Sequence, residues 1–558
     1  MANTLSLGSG NWGAKDSLLL GYYENGGKFF PETFDVTRAT GGTRVNKNGL
    51  IETPAEIGSE LIVNGDFSNG SANWSLTRGN VINNELVFNT TGAPSGSRSV
   101  FAIQNNVADL TKVYKVQFTI SNYVSGQFRL RKPFITTDTF GNGTYTYYGT
   151  ASEINFELQG RLDIVHNFSI DNISVKEYND KNLARIDYLD DAKGALLTEP
   201  ESTNLIPYSE DFSNSGWAKD NTSVQSNAAI SPNGTLNADK ITPTASGVSF
   251  YDVMLLELIG GLTSSVKTNS FFVKSNGQRF VYLVPANGNS DAVYFDLENG
   301  IVGTEIAASK GKIKSYGNGW YRISIFNPAT PNYFYAGIGF CDADNSPVYT
   351  QTSNSIYAWG AQVEQQSYPT SYIPTFNGIV TRNKDEVTNG GDVNSFNSEE
   401  GVLYVEIAAL ANDGTNRYIT LSDGTANNSV RIYLNSNGTQ LSGQLRLNGA
   451  LQCLFNHTVS DLLALNKIAF KYKQNDFSFW INGVEVDTDT SGNTPVGLSK
   501  LSFNRGDGTQ IFFGNTKNIQ VFNTALSDSD LLSLTTTGSV PYWTQYSAMA
   551  TTLNYTNK

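Results

Sequence analysis

Histidine and cysteine are scarce in this sequence: a chain of 558 residues contains two of each. Nucleophilic triads use a histidine as their base, and structural zinc sites use clusters of cysteine and histidine. A Ser-His-Asp or Cys-His catalytic group and a zinc centre are therefore nearly excluded. Cys341 and Cys453 lie far apart in the sequence, so we expect two small buried hydrophobic residues rather than a disulfide.

Charged residues and long apolar runs are also few. Charged residues make up 16% of the chain, and the net charge is −13. Because a nucleic-acid-binding protein needs a basic surface, we expect no nucleic-acid partner. No run approaches the roughly 18 apolar residues of a membrane helix, and the N terminus lacks the basic and apolar regions of a signal peptide. We expect no membrane insertion and synthesis in a cytoplasm.

Glycine and aromatic residues, in contrast, are abundant, with 52 glycines and 12% aromatic residues. Apolar and polar residues alternate over 113–120, which predicts a half-buried strand. Asn-Gly pairs at 299–300, 318–319 and 482–483 favour tight hairpins, because both residue types tolerate positive φ. Ser527 can cap the one convincing helix. Together these patterns predict an all-β fold of tandem β-sandwich domains.

A repeated motif divides the chain. An apolar stretch followed by Asp-Phe-Ser-Asn and a nearby tryptophan occurs at 61–74 and again at 204–217. Two copies favour a pair of like domains, and the length allows about three to four domains. Residues 1–57 contain too few apolar residues for a core of their own. We expect an irregular segment that orders only against a partner, another subunit or the block around 184–200.

Several blocks resemble a sequence that recurs in bacteriophage virion-surface proteins. They are the run FDVTRATGGTRVNKNGLIE at 34–52, the stretch 184–217 with RIDY, LLTEP and YSEDF, and the later YAWGAQVE, TSYIPT and Thr381-Arg382. The layout looks most like head- or tail-fibre proteins of phages that infect Bacteroidetes, including the crAss-like group. Here residues 60–178 separate the first two blocks, which suggests an inserted domain.

Two further resemblances concern the modules. The NGDF and IDNISVKE runs at 64–67 and 170–177 resemble carbohydrate-binding jelly rolls, and 477–486 with 514–532 resembles laminin-G or concanavalin-like sandwiches. Together they imply a virion-anchoring segment (1–57), an inserted jelly roll (58–180), a connector packing with the anchor (181–203), a second jelly roll (204–385), a laminin-G/concanavalin-like sandwich (386–540) and a C-terminal tail (541–558). They also imply capsid or other virion proteins as partners of the N-terminal segment, and a homo-oligomer, with a trimer preferred and a dimer as the alternative.

Sugar binding is the sharpest site hypothesis. A pyranose can stack its apolar face on an aromatic ring while planar polar side chains bind its hydroxyls. Tyr145, Tyr147 and Tyr148 lie beside Asn142 in a glycine-rich stretch and predict a glycan-binding loop; the alternative is that the alternate tyrosines pack as a strand. Asp423 and Asn427 form a second candidate set in the third module, where an ordinary polar loop is the alternative.

Calcium is the only cofactor to consider. The jelly rolls that the inserted module resembles often hold a structural calcium ion near their terminal strands. Asp66 and Asp171 stand at those two ends of the module, and carboxylate oxygens suit calcium. The alternative is that both carboxylates cap turns.

The sequence thus favours a structural virion protein at the particle surface, forming a short fibre (a head fibre preferred) with weak adhesion to host or mucus glycans. The alternatives are a tail-fibre receptor-binding protein and a polysaccharide depolymerase. Enzyme activity is not expected. Glycosidases need two carboxylates about 5–9.5 Å apart, and the sandwich glycosidases related to the third module carry an E-x-D-x-x-E strand, where this chain offers Glu406 alone.

Overall fold

The computed structural model describes residues 5–136, 141–250, 252–259, 266–285, 291–307, 309–327, 334–351, 353–537 and 543–557. Their regular secondary structure is nearly all strand, arranged in antiparallel sheets. The predicted all-β fold with tandem sandwiches is therefore confirmed. Ala55–Asp180 form one compact unit, and Met1–Pro54 together with Lys181–Lys558 form another.

The N-terminal segment forms regular strands, although its glycine-rich sequence led us to expect an irregular segment. Leu5–Gly8 pairs with the strand Gly514–Phe522, near the other end of the chain, and its Leu5 and Leu7 are buried in the core there. Local patterns could not reveal a partner so distant in sequence. The strands are β1 (Leu5–Gly8), β2 (Gly13–Lys15), β3 (Leu18–Asn25), β4 (Lys28–Thr37), β5 (Arg44–Val45) and β6 (Ile51–Glu52).

The unit Ala55–Asp180 is a sandwich of two sheets. Its strands are β7 (Glu56–Glu60), β8 (Ser75–Thr77), β9 (Gly79–Ile82), β10 (Glu85–Asn89), β11 (Phe101–Gln104), β12 (Val113–Ser125), β13 (Phe128–Lys132), β14 (Gly143–Thr150), β15 (Phe156–Gly160) and β16 (Asn167–Asn179). One sheet has the order β14-β12-β16-β10-β9, with β7 on β16, and the other has the order β13-β15-β11-β8. Phenylalanine rings from both sheets meet in the core, with Phe128 5.6 Å from Phe118 and 5.5 Å from Phe168 between centroids.

A connector leads from this unit into the second sandwich. Its strands are β17 (Ile186–Asp187), β18 (Ala195–Thr198) and β19 (Ser202–Asn204). Tyr188 N donates to Val45 O at 3.0 Å and Val45 N donates to Asp187 Oδ2 at 2.8 Å, so the connector runs beside the N-terminal segment. β18 also pairs with Gly514–Phe522.

The second sandwich consists of two six-stranded sheets. Its strands are β20 (Ala218–Asp220), β21 (Thr222–Ile230), β22 (Leu236–Pro243), β23 (Met254–Ile259), β24 (Lys267–Asn276), β25 (Phe280–Val284), β26 (Val293–Asp296), β27 (Ile301–Glu305), β28 (Lys310–Ser315), β29 (Trp320–Asn327), β30 (Phe334–Cys341) and β31 (Ser355–Glu364). The sheet orders are β20-β23-β30-β25-β26-β27 and β21-β22-β31-β24-β29-β28. Their inner faces share one core, which includes Phe212, Phe271 and Ile338.

The repeated sequence motif has the same structural role in both modules. Phe67 lies 5.4 Å from Trp74, and Phe212 lies 5.0 Å from Trp217, measured between ring centroids. Each indole N–H donates to a backbone carbonyl, at 2.9 and 3.0 Å respectively. The motif therefore closes a core in each sandwich and does not present its tryptophan to a ligand.

The third sandwich incorporates both ends of the chain. The remaining elements are β32 (Val380–Arg382), β33 (Glu386–Thr388), β34 (Glu400–Ala409), β35 (Arg417–Ser422), β36 (Ser429–Leu434), β37 (Gln440–Leu447), β38 (Ala450–Thr458), β39 (Asn466–Lys473), β40 (Phe477–Ile481), β41 (Val484–Asp489), β42 (Lys500–Ser502), β43 (Gly514–Phe522), α1 (Asp528–Thr537), α2 (Trp543–Thr552) and β44 (Thr556–Asn557). A 13-stranded sheet contains the path β33-β4-β3-β1-β43-β34-β39-β40-β41, and a five-stranded sheet, β38-β37-β36-β35-β42, packs on it.

The helices lie at the C-terminal end of the described chain. Ser527 Oγ accepts from Asp530 N at 3.3 Å and caps α1, as the sequence predicts. α2 was not expected in the polar tail. Neither helix is long and apolar enough to cross a membrane, within the ranges that the structure describes. Cys341 and Cys453 are buried and unpaired, in agreement with the sequence.

A cluster of five buried charges joins the N-terminal segment, the connector and the third sandwich. Arg38 donates to Asp385 at 2.8 Å, and Arg185 contacts Glu199 at 2.7 Å and Asp385 as well. Arg382 lies 3.4 Å from Glu199 and 3.7 Å from Asp385. Burial alone would raise the pKa of Asp385, but the arginines, Arg185 foremost, outweigh it and hold that pKa at about 2. The Asp385 carboxyl is thus ionised near neutral pH.

Replacing Arg185 by methionine is expected to destabilise this unit by about 3–5 kcal/mol, because Glu199 and Asp385 lose the guanidinium that they share in a buried site. Arg505→Met is the matched control, since the Arg505 side chain is 37% exposed and that of its partner Asp507 is 28% exposed. Urea unfolding followed by tryptophan fluorescence measures both. Similar unfolding midpoints for the two variants would show that the cluster does not hold the unit together.

Candidate functional site

The three predicted tyrosines lie on the regular edge strand β14 and not in a loop, which corrects the sequence interpretation. Side chains alternate along a strand. Tyr145 and Tyr147 therefore point inward, where their rings lie 5.9 and 6.0 Å from that of Phe118. Tyr148 points outward with 54% of its surface exposed, and its ring lies 4.7 Å from that of Tyr178. Only one of the three can meet a ligand at the sheet surface.

Asn142 has a structural partner next to this strand. Its Oδ1 accepts from Tyr123 N at 2.8 Å, which ties the start of β14 to the neighbouring strand β12. The Asn142 side-chain oxygen is thus engaged by the backbone, and Tyr145 and Tyr147 point inward, so the structure does not bring the predicted glycan-binding residues of this module together.

The outward face of the sheet around Tyr148 is polar. Three neighbouring strands, β14, β12 and β16, contribute to it. Tyr148 pairs with Lys115 across β14 and β12, and Gln117 pairs with Ser174 across β12 and β16. We call this surface the Tyr148 face; its residues are Tyr148, Thr144 and Thr146 on β14, Lys115, Gln117 and Thr119 on β12, and Ser174, Lys176 and Tyr178 on β16. Sequence inspection missed it because the pairing of three strands defines it.

Hydrogen bonds hold the polar groups of the Tyr148 face in fixed positions. Gln117 Nε2 donates to Thr146 Oγ1 at 3.0 Å, and the hydroxyls of Thr119 and Thr144 lie 3.0 Å apart. The Ser174 hydroxyl donates to Glu60 at 2.6 Å. Burial raises the pKa of the Tyr148 phenol, so it remains a neutral hydrogen-bond donor and acceptor. An aromatic ring beside ordered hydroxyl and amide groups can bind a sugar ring and its hydroxyls.

Asp423 and Asn427 lie in a tight loop between β35 and β36. The Asp423 carboxylate accepts from Thr425 N at 2.9 Å and from Asn428 Nδ2 at 2.9 Å. Burial would raise the pKa of Asp423, but bonds from Thr425 and Asn428 outweigh it and lower that pKa. Asn427 is exposed, and its carbonyl accepts from Gly449 N at 2.9 Å. The carboxylate is thus engaged in shaping the loop, while the Asn427 side chain faces solvent.

Asp66 and Asp171 are each satisfied by neighbouring residues. Asp66 Oδ1 accepts from the Ser68 hydroxyl at 2.9 Å, and Asp171 accepts from Asn172 N at 2.6 Å. Burial raises the pKa of Asp171, and the charges of Glu85 and Asp66 add to this effect. In the part of the chain that the structure describes, no three His, Cys, Asp or Glu side chains are grouped to hold a metal ion. Asp66 caps the turn at Ser68, Asp171 lies within β16 and accepts from its neighbour Asn172, and a calcium site stays a prediction.

Two carboxyl groups bear on the enzyme hypothesis. Glu406 on β34 lies 3.6 Å from Lys517 Nζ in an ion pair. Glu257 is 9% exposed on β23, and burial raises its pKa to about 7. Its Oε2 has no hydrogen-bond partner among the described residues. Such a group can exchange a proton near neutral pH, but burial is the only cause of its shift, with no neighbouring carboxylate contributing.

A cleft of about 480 Å³ lies where three remote segments meet in the unit Met1–Pro54 and Lys181–Lys558. It is lined by Val45, Gly49, Tyr188, Leu189, Lys314, Ser315, Tyr316 and Gly317. Lys47 Nζ lies 5.5 Å from the centre of the Tyr188 ring, and Lys314 pairs with Asp190. Burial raises the pKa of Tyr188 to about 12. No single stretch of sequence predicts this cleft, because each segment contributes only two to four of its residues.

Comparison with known proteins shows no matching family model and no matching curated protein. Among solved structures, the chain is similar to the CBM40 module of a Ruminococcus gnavus IT-sialidase bound to α2,3-sialyllactose, at 17% identity over 25% of this chain and 84% of that one, with a TM-score of 0.22. A leech intramolecular trans-sialidase matches at 18% identity over 26% of this chain and 24% of that one, with a TM-score of 0.22. A Trypanosoma rangeli sialidase bound to sialic acid matches at 10% identity over 96% of this chain and 93% of that one, with a TM-score of 0.21. Scores this low carry no argument about function.

Replacing Glu257 by glutamine is expected to stabilise the protein at pH 8 and to leave its stability unchanged at pH 4. A carboxyl whose folded pKa lies near 7 supports the fold fully below its unfolded pKa of about 4.3, and this support is lost as the pH rises through 7. The difference at pH 8 is about 3 kcal/mol at most. Thermal unfolding at both pH values measures it, with the exposed Glu298→Gln as control. An equal change at both pH values would contradict the raised pKa.

Proposed function

We propose that this chain is a structural protein of a bacteriophage particle that adheres to surface glycans through the outer faces of its β-sandwiches. The resemblance of the blocks at 34–52 and 184–217 to virion-surface sequences supports the particle assignment. The Tyr148 face supports the adhesion. A short fibre on the head is the preferred location, and a tail-fibre receptor-binding protein is the alternative.

The observation that carries the adhesion proposal is the arrangement of the Tyr148 face. Tyr148 exposes 54% of its surface at one end of a sheet whose outward side chains are hydroxyls, amides and amines. An outward sheet face needs polar residues for solubility but no exposed aromatic ring. The ring adds an apolar surface beside hydrogen-bonding groups, and this is the combination that sugar rings require.

Weak binding at one such face suits a protein present in many copies on one particle. Linked sites raise the overall avidity by factors of about 10² to 10⁴ without new contacts. We propose a homo-oligomer, with a trimer preferred because rotational symmetry closes most fibres. Many apolar side chains of the described N-terminal strands pack within this chain, whereas Phe30 on β4 is 44% exposed. We propose that an attachment through the N-terminal segment uses Phe30 and the polar residues around it.

A polysaccharide depolymerase is the rival function, and Glu257 is the observation in its favour. A glycosidase needs a second carboxylate about 5–9.5 Å from its acid, and no carboxylate contributes to the pKa shift of Glu257. Release of new reducing ends from host capsule by the purified chain, and loss of that release in Glu257→Gln, would establish the enzyme. We expect no release from either protein.

Replacing Tyr148 by alanine is expected to weaken glycan binding by roughly two- to tenfold, the effect of losing one aromatic contact. Tyr148→Phe is the matched control, because it keeps the ring and removes only the hydroxyl. Binding of oligomeric protein to a glycan array, and to host cells by flow cytometry, measures both variants. If neither variant weakens binding, the Tyr148 face is not the adhesion site.

The particle assignment predicts that the chain is part of purified virions. Mass spectrometry of washed particles is expected to detect it, and electron microscopy is expected to show projections that disappear when residues 58–558 are deleted. Loss of projections from the head would establish a head fibre. Loss of density at the tail would establish a receptor-binding protein instead. A chain absent from the particles would refute the assignment.

A further inference from the structure

A cleft opens where the N-terminal segment and the connector cover the outer face of the second sandwich. Val45 and Ile51 of the N-terminal segment belong there to one buried cluster with Phe272 of the sandwich. Tyr316 packs against this cluster, with its ring 4.9 Å from that of Phe272. The cleft has a volume of about 480 Å³, within the range of roughly 300–1,000 Å³ that small-molecule sites occupy. We call it the Tyr188 cleft, lined by Val45, Gly49, Tyr188, Leu189, Lys314, Ser315, Tyr316 and Gly317.

The mouth of the Tyr188 cleft is open to solvent. The Lys314 side chain is 50% exposed, and Gly49 and Gly317 are exposed as well. A side-chain carbon added at either glycine would meet no described atom within 4 Å. Tyr188 and Tyr316, which form the aromatic part of the lining, are half-buried. A ligand can therefore reach both rings from solvent.

Backbone hydrogen bonds and close packing hold the walls of the cleft in place. Tyr188 N donates to Val45 O at 3.0 Å, and Tyr316 N donates to Trp320 O at 2.9 Å. Gly194 lies so close to the Tyr188 ring that a side-chain carbon at Gly194 would stand 2.7 Å from Tyr188 Cε1. Because the walls are already ordered, a ligand binds without the entropic cost of ordering them.

The lining of the cleft combines aromatic rings with polar groups. Tyr188 and Tyr316 contribute the rings, and Ser315 and Lys314 contribute a hydroxyl and an ammonium group. Burial raises the pKa of Tyr188 to about 12, so its phenol stays neutral at physiological pH and can donate or accept a hydrogen bond. A sugar ring has an apolar face for the aromatic side chains and hydroxyls for the polar ones. The lining thus matches the chemistry of a sugar.

One positive charge beside the cleft lacks a counter-charge. Lys314 is paired with Asp190, and the Asp187 carboxylate accepts from two backbone N–H groups. Lys47 is exposed, and its Nζ lies 5.5 Å from the centre of the Tyr188 ring. Among the described residues, Lys47 forms no ion pair. Its ammonium group is held only by the aromatic ring, an attraction that is small at an exposed site.

We infer that the Tyr188 cleft binds an acidic sugar, with the sugar ring against Tyr188 and Tyr316 and its carboxylate at Lys47. The flexible stem of a lysine lets the ammonium group turn from the ring to the ligand, and a charge-assisted hydrogen bond to a carboxylate is stronger than the contact it replaces. This inference rests on the proposed glycan-binding function and adds a second site with a defined ligand class. The cleft and the Tyr148 face belong to different compact units, so each can be tested separately.

Saturation-transfer NMR on the full chain tests the inference with methyl β-glucuronide as the probe. Its neutral counterpart, methyl β-glucoside, has a hydroxymethyl group in place of the carboxylate. We expect strong saturation transfer to the glucuronide and little to the glucoside. Lys47→Gln is expected to weaken glucuronide binding about tenfold, because one charge-assisted hydrogen bond is lost. Lys47→Arg keeps the charge and is expected to retain binding. Lys473→Gln removes a 52% exposed lysine on β39, outside the cleft, and is expected to change nothing.

Four outcomes would overturn the inference: no transfer to the glucuronide, equal transfer to both sugars, unchanged binding in Lys47→Gln, or an equal loss in Lys47→Arg or Lys473→Gln. Thermal unfolding confirms that each variant is folded. Tyr148→Ala is expected to leave the glucuronide signal intact, and loss of that signal would place the sugar on the Tyr148 face instead. Array binding that depends on Tyr148 without glucuronide transfer overturns this inference alone. Glucuronide transfer that depends on Lys47, with array binding unchanged in Tyr148→Ala, overturns only the adhesion assigned to the Tyr148 face.

Discussion

Three arginines and two carboxylates, buried together without contact to bulk water, hold the larger unit of this protein in register. Removing charges from water is costly, and such a cluster is stable only when each charge meets its counter-charges at close range. The five residues come from three remote segments. Arg38 lies in the first, Arg185 and Glu199 lie in the second, and Arg382 and Asp385 lie in the third. A chain that misplaced any one segment would bury an unpaired charge. The cluster therefore selects one arrangement of the segments, even if its net contribution to stability is modest.

The sequence blocks that resemble phage proteins meet in and around this cluster. Thr37-Arg38, the RIDY and LLTEP runs, and Thr381-Arg382 each contribute a charge or a neighbouring strand. These blocks therefore contribute to the packing of the larger unit. The N-terminal strands, placed by the same contacts, complete the 13-stranded sheet of the third sandwich. The surfaces left for recognition are the outward sheet faces and the Tyr188 cleft.

The Tyr148 face follows from a general property of β-sheets. One side of each strand is committed to the core, so alternate residues line the opposite face across neighbouring strands. In the Tyr148 face this set combines one exposed aromatic ring with hydroxyls, amides and amines. The cleft around Tyr188 and Tyr316 is a separate concave surface, lined by residues of three segments that are remote in sequence.

The sequence by itself determined the all-β class, the strand at 113–120, the hairpins at Asn-Gly pairs and the helix after Ser527, because each depends on residues within about ten positions of one another. It also placed Tyr145, Tyr147 and Tyr148 together, but only the strand geometry decided that two point inward and one outward. The N-terminal strands and the buried charge cluster depend on contacts between segments far apart in the chain. Such pairing is decided by the packing of whole sheets, and no local pattern of apolar and polar residues records it.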